Sequence, residues 1–271
     1  MNKWLLILTV VIAVNCQASQ RIITIGNDVS EITYALGVGA YIVARDRASV
    51  SPEALKELPD VGFMRQLNTE GILALKPTLV LSTTRASASS ALRQVEASGI
   101  NVVYIPVDTT PEGVPAKIQL IAATLNQAQK GQQLIQHYQQ QLAEIMSTPL
   151  PVKVLFIMSH AGIPPLAAGT HTPADTLFRR TGLKNAIHEF AGYRPLSQEG
   201  IIASAPDLLI MTTHGVISLG GVDNVWRIPG IALTPAGQQR QVLILDDRAL
   251  LSFGLHTPAV MKQLRAAAQP D

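Results

Sequence analysis

The chain says one thing twice. "GFMRQLNTEGILALKPTLVLSTT" begins at Gly62, and "GYRPLSQEGIIASAPDLLIMTT" begins at Gly192. Both read glycine-aromatic, then L-[NS]-x-E-G-I-x-A-x-x-P-x-L, then a Thr-Thr pair. A short apolar-periodic segment, a proline stop and an apolar run of strand length make a helix–strand unit. Such units recur in many α/β proteins. Here, however, Glu70-Gly71 and Glu199-Gly200 match position by position, as do the threonine pairs. Two matched units predict two similar substructures.

The flanking sequence agrees. "RIITIG", "AYIVARD", "TLVLST" and "INVVYIPV" have strand character, and "DVSEITYALG", "TEGILALKP" and "SASSALRQVEASG" read as helices between them. Strand and helix in alternation mark a parallel α/β sheet. From about Thr110 the pattern changes. Leu134, Tyr138, Leu142 and Ile145 fall at helical spacing among glutamines, and the run stops at Thr148-Pro149-Leu150-Pro151. After it the alternation resumes with "VKVLFIMS", "TPADTLFRRTG", "QEGIIASAP", "DLLIMT", "QVLILD" and "TPAVMKQLRAAA". The expected architecture is two α/β lobes, residues 19–125 and 149–271, joined by a single long helix over 126–148, with a ligand cleft between the lobes.

The first residues, "MNKWLLILTVVIAVNCQASQ", carry a charged start at Lys3, an apolar run from Trp4 to Val14 and small residues at Cys16 and Ala18. This is the layout of a secretory signal over residues 1–18, cut after Ala18. Acylation at Cys16 is the alternative, and Asn15 before it fits poorly. Cleavage would remove the one cysteine of the chain, so the exported protein would have no disulfide and no thiolate ligand. With 47% apolar and 15% charged residues the chain can bury a core. A net charge of +2, without a basic stripe, argues against nucleic acid as a partner. There is no G-x-S-x-G elbow, no H-E-x-x-H and no P-loop, so nothing marks an enzyme.

The two copies, with "RIITIGNDVSEITYALG" at one end and "LLSFGLHTPAVMKQL" at the other, resemble the periplasmic substrate-binding proteins of haem-uptake ABC importers. More broadly they are similar to the helical-backbone class that also binds cobalamin and iron-siderophores. The resemblance implies a periplasmic, monomeric carrier that takes haem as transported ligand rather than as catalytic cofactor. It implies delivery to an inner-membrane ABC permease dimer. It also implies that Glu70 and Glu199, one per lobe, dock on permease arginines. A two-fold partner asks for two similar acidic knobs. The plainer reading is that each glutamate only favours the first turn of its helix.

Haem-binding members of that class commonly hold iron with a tyrosine in a G-Y-x-R sequence. Here the position is Phe63, in Gly62-Phe63-Met64-Arg65, and phenylalanine has no donor atom. Phe63 can still stack on a macrocycle, and Arg65 can pair with a propionate. The iron ligand must then come from elsewhere. His171, in a strand-to-helix loop expected to face the cleft, is the first candidate. Tyr193 of the second copy and His256 in "SFGLHTP" are further ligand-contact candidates, with His214 and His160 also in range. Cobalamin, which needs no protein ligand to its metal, or a siderophore is the alternative cargo.

Overall fold

Two separate main sheets, each mostly parallel, carry the chain, and the helix–strand part of each repeated unit places its strand in its own sheet. The protein is described by a computed structural model over residues 20–160, 163–195, 197–246, 248 and 250–269. The expected signal over residues 1–18, its cleavage after Ala18 and Cys16 lie outside the described residues, as does the side chain of His160.

In the first half the strands are β1 (Ile22–Ile25), β2 (Ile42–Arg45), β3 (Gly62–Phe63), β4 (Gln66–Leu67), β5 (Leu79–Thr83) and β6 (Asn101–Ile105). The first sheet runs β2-β1-β5-β6, parallel throughout, while β3 and β4 form a small antiparallel hairpin beside it. Its helices are α1 (Asn27–Thr33), α2 (Thr69–Ala74) and α3 (Ser90–Ala97). β1 and β5 are buried along their whole length, which is why they read as unbroken apolar runs.

Next come α4 (Val114–Thr124) and α5 (Ala128–Ala143). α5 lies within the bounds expected for the joining helix, 126–148, and is shorter than that span. Asn126 takes a left-handed backbone (φ 56) and breaks the run, and α5 stops at Ala143 rather than at the prolines. α5 folds back on α4, and a Cβ placed on Gly131 would stand 2.4 Å from that of Ala122, so the two helices pack closely there. The apolar stripe behaves as its spacing predicts: Tyr138 is buried, and Leu134, Leu142 and Ile145 pack against the core.

The second half contains β7 (Lys153–His160), β8 (Ile163–Ala168), α6 (Pro173–Arg180), β9 (Lys184–Asn185), β10 (Tyr193–Pro195), α7 (Gln198–Ser204), β11 (Leu208–Thr212), α8 (Thr213–Ser218), α9 (Val222–Val225), α10 (Pro235–Gln239), β12 (Val242–Leu245) and α11 (Thr257–Ala267). Its sheet runs β10-β8-β7-β11-β12, with β9 paired to the start of β7. β7, β11 and β12 are parallel, whereas β8 and β10 are antiparallel additions. One buried apolar cluster runs from Ile22 and Leu81 of the first sheet, through Ile118, Ile121 and Tyr138 of α4 and α5, to Phe156 and Ile210 of the second sheet. The lobes are therefore joined by shared core as well as by chain.

The repeat is faithful down to single backbone positions. Asn68 caps α2 and Ser197 caps α7, each accepting from the glycine three residues on, Gly71 and Gly200. Lys76 (φ 47) and Ala205 (φ 42), directly before Pro77 and Pro206, share a left-handed conformation. Thr83 and Thr212 close β5 and β11 and cap the turns that follow.

Candidate functional site

Between the lobes lies a cavity of about 510 Å³. The first lobe lines it with residues that include Arg47, Phe63, Thr83 and Arg85, and the second with residues that include Met158, Thr212, His214 and Arg248. Thr83, Met158, Thr212 and Asp246 stand at or just past the C-terminal ends of parallel strands, where an open α/β sheet presents loops and helix starts to a ligand. Volume and position suit a small-molecule site. The walls are mixed: Val50, Phe63, Met64, Val107, Leu251 and Phe253 are apolar, and three arginines and Lys117 supply positive charge.

Phe63 is the most exposed aromatic of the first lobe, at 49%. The β3–β4 hairpin holds it there. Gly62 has φ 101, and a Cβ at that position would meet the Gln66 carbonyl oxygen at 2.4 Å, so only glycine lets the hairpin close. The guanidinium of Arg47 stands 5.1 Å from the Phe63 ring centroid. Asp60 fixes both partners: it accepts from Arg47 Nε at 2.8 Å and from the Gly62 backbone N–H at 2.7 Å. Burial acts to raise the Asp60 carboxyl, but the hydrogen bonds from Arg47 and Gly62 outweigh it and hold the group below its ordinary range. Arg47 and Phe63 thus form a pre-set pair, a flat apolar face with a cation over it.

The floor of the cavity is a buried ion cluster. Lys117, 2% exposed, pairs with Asp28 and with Asp108 at 2.8 Å, and donates to the Phe253 carbonyl at 3.1 Å. Two carboxylates share one ammonium, and the last bond ties the segment before α11 to the first lobe. Arg248 pairs with Asp246, and this holds the Asp246 carboxyl low. Arg85 reaches only the Leu251 carbonyl, at 3.5 Å, and makes no ion pair among the described residues.

The other candidates fall elsewhere. Arg65 is exposed but does not line the cavity. The strand ends at Phe63 and the chain turns through Met64 and Arg65, which interrupts the alternation that would carry Arg65 to the face of Phe63. His171 is also exposed and outside the lining. β8 is antiparallel to β7, so its following loop leaves from the opposite end to the loops after β7 and β11. His171 precedes the cap of α6, its backbone N–H bonded to Asp175 at 3.3 Å. Tyr193 is not in the lining: it packs edge-on to Phe156, centroids 6.4 Å apart, against the core. Burial pushes its phenol up to about 12, partly offset by Arg85 and Thr172. His256 lies outside the lining too, with Nδ1 3.2 Å from Glu31 of α1. Glu70 and Glu199 are exposed at equivalent positions in the first turns of α2 and α7.

Of the histidines, His214 is the one whose described side chain lines the cavity. Arg47, Arg85, Lys117 and Arg248 were not singled out from sequence. Arg85 sits directly after the first threonine pair, as His214 sits after the second, so the repeat itself pointed to both positions.

Two α/β lobes sharing a core, with a ligand-sized cleft at the strand ends, define a bilobal substrate-binding protein. The chain belongs to the periplasmic binding protein family, whose sequence model matches residues 22–249. It is similar to the apo form of the periplasmic haem-binding protein RhuT from Roseiflexus sp. RS-1, with TM-score 0.86 and 34% identity over 93% of this chain and 100% of that one. It is likewise similar to the periplasmic haem-binding protein BhuT in complex with two haems, with TM-score 0.84 and 34% identity over 92% and 97% of the respective chains. A relative of another specificity is the vitamin B12-binding protein of Vibrio campbellii, 27% identical over 77% of this chain and 74% of that protein.

Proposed function

We propose that this protein is a periplasmic carrier that takes up haem in the interlobe cleft and delivers it to an inner-membrane ABC permease. The observation that carries the reading is the cleft wall: the Arg47–Phe63 pair brings an exposed aromatic ring and the cation over it to the cleft, and Arg85 adds a second cation. A porphyrin asks for that combination, an apolar surface for the ring and guanidinium groups for the propionates. The likeness to haem-binding structures over nearly the whole chain supports it. The protein acts by binding and release, not by catalysis. Glu70 and Glu199, matched and exposed on the two lobes, are the proposed docking residues for the permease.

Cobalamin is the second reading, favoured by the B12-binding relative and by the lack of a donor at Phe63. Parallel titrations of the purified mature protein with haem and with cobalamin separate the two. Saturable haem binding at micromolar concentration or tighter, with weak cobalamin binding, is expected; tight cobalamin binding with none of haem refutes the proposal. Charge reversal at Glu70 and Glu199 together should abolish uptake in cells and leave ligand affinity unchanged. A loss of affinity would remove those residues from the docking role.

A further inference from the structure

We infer that the haem iron is held from the second lobe by His214, facing a donor-free platform of Phe63 and Arg47 on the first lobe. This rests on the cleft being a haem site and names the bond within it. Iron takes nitrogen, sulfur or phenolate donors from a protein. Among the described residues no tyrosine lines the cavity, and His214 is the one imidazole that does. The thioethers of Met64 and Met158 are the remaining soft donors there, and both also pack against the cores of their own lobes.

The backbone around His214 is built to present a side chain. Thr212 ends the fully buried interior strand β11, and its hydroxyl accepts from the Gly215 N–H at 3.1 Å. Thr213 donates to the Leu245 carbonyl at 3.2 Å, and Ser218 donates to the Ser159 hydroxyl at 3.1 Å, so α8 is fastened to β12 at its first residue and to β7 at its last. Gly215 itself is buried, and a Cβ there would lie 3.1 Å from the Thr212 hydroxyl and 3.6 Å from the Ser159 carbonyl. His214, exposed into the cleft, is therefore carried on three bonded strands rather than on a free loop. The consequence is mechanical. The metal bond belongs to one lobe and the stacking face to the other, so parting the lobes separates the ring from its platform while the iron stays on His214 until a competing ligand takes it.

The test uses the mature protein, its His214→Ala variant, haem and metal-free protoporphyrin IX. The wild type is expected to prefer haem by about 10-fold or more, since even a group that only orients a metal ligand is worth that much. His214→Ala should erase that preference, shift the Soret band and leave protoporphyrin affinity unchanged. Added imidazole should restore the wild-type spectrum. Phe63→Ala should weaken both porphyrins alike. A haem spectrum identical in wild type and His214→Ala, with haem still bound, overturns the assignment and leaves the proposed function standing. Failure of both porphyrins to bind overturns both.

Discussion

Replacing Lys117 with methionine should destabilise the protein more than any exposed substitution in the cleft. Its ammonium is 2% exposed and faces two carboxylates, Asp28 and Asp108, themselves only 13% and 11% exposed. Methionine fills a similar volume, so the loss is electrostatic. Removing one partner of a buried ion cluster costs about 3–5 kcal/mol, because the remaining charges stay desolvated. The loss of the Phe253 carbonyl's bond falls within the same change. At about 2–4 °C per kcal/mol for a chain of this size, the melting temperature should fall by roughly 6–20 °C. Calorimetry or thermal circular dichroism reads this directly. Adding Asp28→Asn and Asp108→Asn to Lys117→Met should recover most of the fall, since an apolar or neutral set avoids the unpaired charge. The single variant also makes the cleft floor more negative by one charge, so an anionic porphyrin should bind more weakly than to wild type. A fall of less than about 3 °C, or no recovery in the triple variant, would refute the reasoning.

Other predictions follow from single positions. Burial raises the Tyr193 phenol from 10.0 to about 12, and Tyr138 shifts in the same direction. A phenol raised in the folded state releases its proton later than in the unfolded chain, so stability should fall as pH rises from 10 toward 12. Tyr193 accounts for at most about 2–3 kcal/mol of that fall. Tyr193→Phe should flatten the alkaline limb of a denaturation series and leave neutral stability nearly unchanged. Gly62→Ala should cost more than Gly192→Ala, although both have positive φ. A Cβ at Gly62 meets the Gln66 carbonyl at 2.4 Å, and one at Gly192 meets nothing within 4 Å. The second pays only the left-handed backbone, about 1–2 kcal/mol. The first should also weaken ligand binding by moving Phe63, and equal effects on stability and binding would contradict the hairpin's role.

The repeat was legible because it is local. Caps, a proline stop and a buried strand are written within one short stretch, and Asn68, Ser197, Thr83 and Thr212 perform those roles in the structure. β8 was not legible. Pro164 and Pro165 read as breakers, yet they sit beside the irregularity where β7 and β8 shift register, beyond the residues that β10 pairs. That antiparallel strand reverses the chain's direction and moved His171 off the cleft. The helix boundary expected at 126 falls where Asn126 turns left-handed, whereas the stop at Ala143, ahead of the prolines, was not written in the apolar spacing. The site was partly legible. Phe63 reaches the cavity, but its partner Arg47 lies well before the hairpin in sequence and meets the ring only in the folded chain, held there by Asp60. Arg65 was singled out as the arginine of the G-Y-x-R pattern, and it does not line the cavity.

The central claim is that haem sits between the lobes, against Phe63 and under the reach of His214. An iron anomalous difference map from crystals of the haem-loaded mature protein tests it most directly. An iron peak is expected in the cleft, beyond the C-terminal ends of β5 and β11, within bonding distance of the His214 imidazole and with the ring over Phe63. A peak outside that cleft, or iron in the cleft with His214 turned away from it, would contradict the account.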